Sequence, residues 1–235
     1  GLASTGAECQ APLMNLQPPL LEVCSASAEF AIAAVDAGAD RVELCANLVE
    51  GGTTPSLAEV EVATERLDVP VMVMVRPRGG DFLYSDVEFE VMTRDVTRIR
   101  EAGADGVVFG VLDTVGRIDR ARTERLIAAA RPLPVTFHRA FDVSRDLPES
   151  LDTLLELGVD RVLTSAGRAC VLDALPLLAK LLARAGNAAV ILPGGGIRGD
   201  NVREVLAVPG VREVHIGASA YDASPMDYRV AEGLM

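Results

Sequence analysis

Two short segments of the sequence, LEVC (21–24) and VELC (42–45), each carry a glutamate two residues ahead of a cysteine. Both read as short buried strands. Alternate residues of a strand share a face, so Glu22 goes with Cys24 and Glu43 with Cys45. Val23, Val42 and Leu44 take the opposite face. Thiolates are soft ligands that select Cu(I) or Zn. Two of them at neighbouring strand ends are about 4.8 Å of sheet spacing apart. They could share one ion in a near-linear Cu(I) site or oxidise to a bridge. The structural alternative is a pair of small buried hydrophobes. Met72 and Met74 could add a thioether or serve as core filler.

Other reactive side chains fall near further predicted strand ends. MVRPRGGDF (74–82) brings Arg76, Arg78 and Asp81, and FHRAFD (137–142) brings His138, Arg139 and Asp142. HIGAS (215–219) brings His215 and Ser219. The turn LPGGGIRGDN (192–201) carries Gly194, Gly195 and Gly196, whose bare backbone N–H groups could approach an anion or phosphate, or simply make a tight bend. These groups support a second chemistry: an isomerase, lyase or aldolase-type enzyme acting on a small anionic or phosphorylated metabolite. Arg76, Arg78 and Arg139 would clamp the anion, with Glu43 or His138 as general base. Lys180 falls inside a predicted helix, so no lysine offers itself for a Schiff base. A core of satisfied Glu–Arg pairs, or a barrel without catalysis, are the plainer readings.

The elements that must place these groups are visible as a repeat. DAGADRVEL (36–44), EAGADGVVF (101–109), ELGVDRVLT (156–164) and the weaker VPGVREVHI (208–216) each put a glycine after an amphipathic stretch and a Val-rich run after the glycine. That is a left-handed helix stop followed by a buried parallel strand. Each interval between these glycines suits two β-α units of about 25–30 residues. The pattern predicts strands at 20–24, 41–45, 71–75, 106–110, 134–138, 161–165, 189–193 and 213–217. Helices are predicted at 27–37, 56–67, 87–102, 119–130, 147–157, 170–185 and 200–207, the last capped near Asp200. The fold class is α/β, a TIM (β/α)8 barrel, with the final helix missing or outside this chain. A doubly wound sheet would want G-x-G-x-x-G after the first strand, and Cys-Ser-Ala-Ser stands there instead.

Composition bounds the rest. The chain has 235 residues and a formal net charge of −12, which disfavours nucleic acid and anionic membrane as partners. Residues 1–18 show no period and are read as a mobile leader, leaving 19–235 as one barrel domain. The first basic residue is Arg41, so no signal or transit peptide is expected. Apolar runs are too short and too broken by charge to span a bilayer. Cys9, Cys24, Cys45 and Cys170 are too few and too far apart for a disulfide framework, which fits reduced thiols in a cytosolic protein.

Taken together, LEVC, DAGADRVELC, EGGTTPS, RPRGGDFLYS, VTFHRAFD, RVLTS, GGGIR, EVHIGAS and SPM resemble the CutC family, described as copper-homeostasis proteins, from about residue 20 to residue 227. The resemblance implies a TIM barrel, a cytoplasmic location and a homo-oligomer, a dimer or a tetramer, of which the dimer is the expectation. It also implies copper as the bound metal, with the family's two strand-end cysteines matching Cys24 and Cys45. The chain departs from the family's pattern in its leader and in its short C-terminus.

Overall fold

The computed structural model describes residues 18–217 together with 226 and 227. Eight strands run in chain order: β1 Leu20–Ser25, β2 Arg41–Leu44, β3 Val71–Met74, β4 Gly106–Phe109, β5 Val135–Phe137, β6 Arg161–Thr164, β7 Val190–Pro193 and β8 Glu213–Gly217. Between them lie α1 Ala28–Asp36, α2 Leu57–Arg66, α3 Asp86–Glu101, α4 Arg120–Ala130, α5 Leu147–Leu157, α6 Leu175–Ala185 and α7 Val202–Leu206. Every ladder is parallel, in the spatial order β7-β6-β5-β4-β3-β2-β1-β8. β7 and β8 lie side by side, yet among the described residues no backbone ladder joins them. The sheet thus curls into a nearly closed barrel, hydrogen-bonded everywhere but along one seam.

Local chemistry explains why each unit forms. Ser27, Ser56, Asp119 and Asp146 each accept a first-turn backbone N–H with the side chain, and Ser85 with Glu88 completes a capping box on α3. Such caps satisfy donors that a helix start leaves open. At the other ends, Gly38, Gly103, Gly158 and Gly210 all take positive φ, the left-handed stop that the repeat predicts.

Two helices differ from expectation. The predicted 170–185 helix is broken into a 3-10 turn, Val171–Ala174, and α6, with Pro176 in the first turn of α6. Proline cannot donate a backbone bond and is tolerated only at a helix start, so α6 begins anew there. The predicted 200–207 helix shrinks to α7. Asp200 does not cap it; Asn201 stands at the N-cap and its Oδ1 accepts from the backbone of Arg198. The question of a closing helix falls on 218–235, outside the described residues except for 226 and 227, and the leader reading falls on residues 1–18, of which 1–17 lie outside the described residues.

The main core lies between strands and helices. Val42, Leu44, Val73, Val107, Phe109, Phe137, Val162 and Ile191 point outward against the helical shell and are buried. Inside the cylinder a small second cluster contains Cys24, Cys45, Met72, Met74 and Val108. Met72 lies beside Gly106 in the β3–β4 ladder. A Cβ on Gly106 would sit 2.6 Å from the Met72 sulfur, so the glycine gives Met72 room to fill the barrel.

Candidate functional site

The sulfur pair sits where strand parity puts it, inside the barrel at the C-terminal ends of β1 and the β2 turn. Cys24 is opposite Glu43 in the ladder, and the Cys45 backbone N–H donates to Ser25 O at 2.9 Å. The sulfurs are 3.7 Å apart, and the Cys45 thiol reaches Glu43 Oε2 at 3.6 Å. Both cysteines are buried and free. The Cys45 hydrogen bond, against burial and with help from His215, holds the Cys24 thiol down at about 5, and the same coupling pushes Cys45 well up. One thiolate and one thiol therefore share the pair.

Cys24, Glu43 and Cys45 form a donor set whose ligand atoms lie within 4.8 Å of one another. A linear two-sulfur site would need about 4.6 Å between sulfurs, twice a metal–sulfur bond of ~2.3 Å. At 3.7 Å both sulfurs are within reach of one ion, and Glu43 would be available as a third donor. The residues fit a soft ion of the Cu(I) type.

A charged layer lies beneath. Arg41 shares strand parity with Glu43 and Cys45, and it stands opposite Glu22. Its Nε donates to Glu22 Oε2 at 2.5 Å and its Nη2 to Glu213 Oε2 at 2.5 Å. Arg161 Nε also reaches Glu213, at 3.0 Å. Glu22 Oε1 meets His215 Nδ1 at 2.7 Å, and His215 Nε2 lies 3.9 Å from Glu43 Oε2. Burial opposes the charge on Glu22, but His215 and Arg41 outweigh it and hold the carboxyl at about 2. Burial, followed by the Cys24 thiolate's charge, pushes Glu43 well up. His215 is also pushed up: Glu43, Cys24 and Glu22 together outweigh its burial. Two glutamates one layer apart are thus pushed in opposite directions.

The opposite wall is a set of donors. His138 Nδ1 accepts from the Ala140 backbone at 3.1 Å, so the ring proton sits on Nε2, and Nε2 has no partner. Gly110 makes this placement possible, because a Cβ there would lie 2.5 Å from the imidazole. Burial and then the Arg76 charge push His138 down to about 3. A folded His138 that stays neutral favours the folded state above the ordinary 6.5, and this advantage is lost as pH falls from there toward 3. Wild type should therefore lose ground against His138→Asn by about 1.4 kcal/mol per pH unit across that window. Chemical unfolding of both proteins between pH 6.5 and pH 4 measures it, and parallel curves would contradict it.

Cys24, Glu43, Arg76, His138, Arg139 and His215 line one cavity of about 170 Å³ with Leu48, Gly51, Met74, Phe82 and Leu163. Other expected residues lie elsewhere. Arg78 is tied to Glu88, Asp81 and nearby carbonyls, and neither it nor Asp81 lines the cavity. Asp142 is spent on Thr164, Ser165, Gly167 and Arg139. Gly194, Gly195 and Gly196 are also absent from the lining; the Gly194 N–H donates to Thr164 O. Ser219 lies outside the described residues. Sequence reading missed Arg41 as the shared partner of Glu22 and Glu213, although Arg41 carried the same parity signal as the cysteines. It also missed Phe82 and Leu48 as cavity walls.

The fold and this interior define a TIM barrel with a buried Cys-Glu-Cys cluster at its C-terminal mouth. The CutC family profile matches residues 19–220. A human protein named copper homeostasis protein cutC homolog is 49% identical over 210 residues, covering 89% of this chain and 77% of the human protein. A CutC family protein of Mesorhizobium japonicum is 50% identical over 211 residues, covering 90% and 82%. The crystal structure of CutC from Streptococcus agalactiae superposes with a TM-score of 0.81 at 35% identity, covering 84% of this chain and 98% of that one. The chain belongs to the CutC family of copper-homeostasis proteins.

Proposed function

We propose that this protein binds Cu(I) through Cys24 and Cys45, with Glu43 as the adjacent third donor. The observation that carries the reading is the 3.7 Å approach of two buried sulfurs from neighbouring strands. A thiolate at Cys24 gives a soft, anionic ligand at neutral pH. The second thiol loses its proton to the solvent on binding, as ligation of cysteine requires. The half-ionised sulfur pair, with the Glu43 carboxyl beside it, needs little rearrangement to take one ion. A reducing, cytoplasmic setting belongs to the same reading, because free thiols persist there. No helix among the described residues is long and apolar enough to cross a membrane. A homodimer is the assembly we infer from family membership, to be read by sedimentation.

The test is an anaerobic, reducing titration against a Cu(I) chelator. Wild type is expected to take one Cu(I) per chain with a thiolate-to-metal absorption band and copper–sulfur scattering in the X-ray absorption spectrum. A spectrum showing only nitrogen and oxygen neighbours would sink the reading.

A further inference from the structure

Arg76 is a buried cation without an anion. Its side chain is 5% exposed. Nη1 donates to the backbone oxygens of Glu50 and Gly52 at 2.7 and 2.8 Å, and Nη2 to that of Gly80 at 2.9 Å. The Phe82 ring covers one face, 5.0 Å from the guanidinium carbon. Three neutral carbonyls and a ring leave the charge uncompensated; Nε makes no hydrogen bond, and a polar neighbour, the buried Tyr84 hydroxyl, is neutral. Among the described residues no carboxylate pairs with it. Burying a guanidinium in this way is unfavourable unless a counter-ion completes it, and its preferred partner is a carboxylate or phosphate.

Two more buried atoms share the problem and the cavity. His138, 3% exposed, has an unpartnered Nε2. Glu43, 2% exposed, has an unpartnered Oε1. In folded proteins such atoms are nearly always satisfied. All three residues line the 170 Å³ cavity. Two other basic side chains there are already engaged, Arg139 with Asp142 and His215 with Glu22. Leu48, Met74, Phe82 and Leu163 supply an apolar part of the wall, and Cys24, Gly51 and His215 complete it.

We propose that this cavity binds a small organic acid, a carboxylate carrying one further hydroxyl or oxo group. The carboxylate accepts from Arg76 Nε–H and His138 Nε2–H, the second polar group meets Glu43 Oε1, and the carbon body lies against Phe82, Leu48 and Met74. Size sets the class: at ~30 Å³ per liquid water the space holds about six waters, or a compact acid of roughly six to ten non-hydrogen atoms. Inorganic phosphate fits less well. It brings a higher charge toward Glu43 and Cys24, leaves the apolar walls uncovered, and the glycine turn at 194–196 that would cradle it lies outside the lining. This site adjoins the copper reading and shares Glu43 with it, but the clamp on the acid, Arg76 and His138, uses no sulfur.

The experiment titrates reduced, metal-free protein with lactate and with pyruvate by calorimetry, and follows the His138 ring N–H by NMR. Lactamide and inorganic phosphate serve as comparisons. The expected result is saturable millimolar or tighter binding of at least one acid, a shift of the His138 Nε2–H signal, and at least tenfold weaker binding in His138→Asn and in Arg76→Lys. Asparagine can still accept the Ala140 N–H, so the turn survives that change. Exposed Arg94→Ala should bind as wild type does. Silence of both acids, equal binding of lactamide, binding of phosphate alone, or undiminished binding in His138→Asn would each overturn the proposal. Because no copper is present, a negative result here leaves the Cu(I) titration untouched, and failure of that titration leaves this one standing.

Discussion

Exchange of both Cys24 and Cys45 for serine is expected to weaken Cu(I) binding by at least ~100-fold, more than the 10- to 100-fold that loss of an outer partner typically costs. A hydroxyl is a hard, neutral donor at pH 7, and a soft monovalent ion gains little from it. The scaffold should survive. Both positions lie inside the barrel, 7% and 1% exposed, and serine is close to cysteine in size. The buried hydroxyls have Glu43 as an acceptor, so the stability cost should stay within about 2 kcal/mol. Chelator competition with the folded double variant reads the affinity. A double variant that competes as well as wild type would remove the thiols from copper binding.

Arg41→Leu is the largest expected loss of stability, about 3–5 kcal/mol, the usual result of removing one partner from a buried ion pair. Arg41 is 2% exposed and bridges Glu22 and Glu213 at 2.5 Å each. Leucine fills much of the volume but leaves Glu22, itself almost fully buried, with His215 alone. Glu213 keeps Arg161, so most of the penalty falls on Glu22. With Arg41 present, the Glu22 carboxyl stays ionised down to about 2, and its contribution is complete above the ordinary 4.5 and lost as pH falls through 2. Without Arg41 that protection shrinks. The variant's deficit should therefore be largest near neutral pH and narrow in acid, where Glu22 takes a proton. Adding Glu22→Leu should recover part of the loss, because an apolar pair avoids the desolvation cost. Urea unfolding at pH 7 and pH 4 decides the matter; an equal deficit at both would exclude Glu22 as the source.

The architecture was legible because it repeats. The glycine stops at 38, 103, 158 and 210 and the Val-rich runs after them placed the strands to within a residue or two. Strand parity turned LEVC and VELC inward, and the sulfurs meet there. Parity could not say which charges pair across the barrel. Glu22 looked available to the arginines at the mouth, yet Arg41 and His215 hold it, because ladder register sets the height of each residue and register is not written in a single strand. Arg76 and Arg78 sit two apart in one motif and part company: Arg76 turns inward to backbone oxygens, while Arg78 follows the capping glutamate of α3 outward. That division depends on how 77–85 folds, which neither period nor composition records. Pro176 was visible, but its break in the 170–185 stretch was hidden by the strong apolar stripe on either side of it.

The missing ladder between β7 and β8 fixes which parts of the wall are tied together. Among the described residues β8 is bonded to the sheet through β1 only, and β7 through β6 only, so these residues can part along that line without breaking a backbone bond. His215 and Glu22 ride on the same side of the breach, joined across β8 and β1. Any parting along this line would carry His215 and Glu22 together as a unit, because β1 holds β8 by backbone bonds.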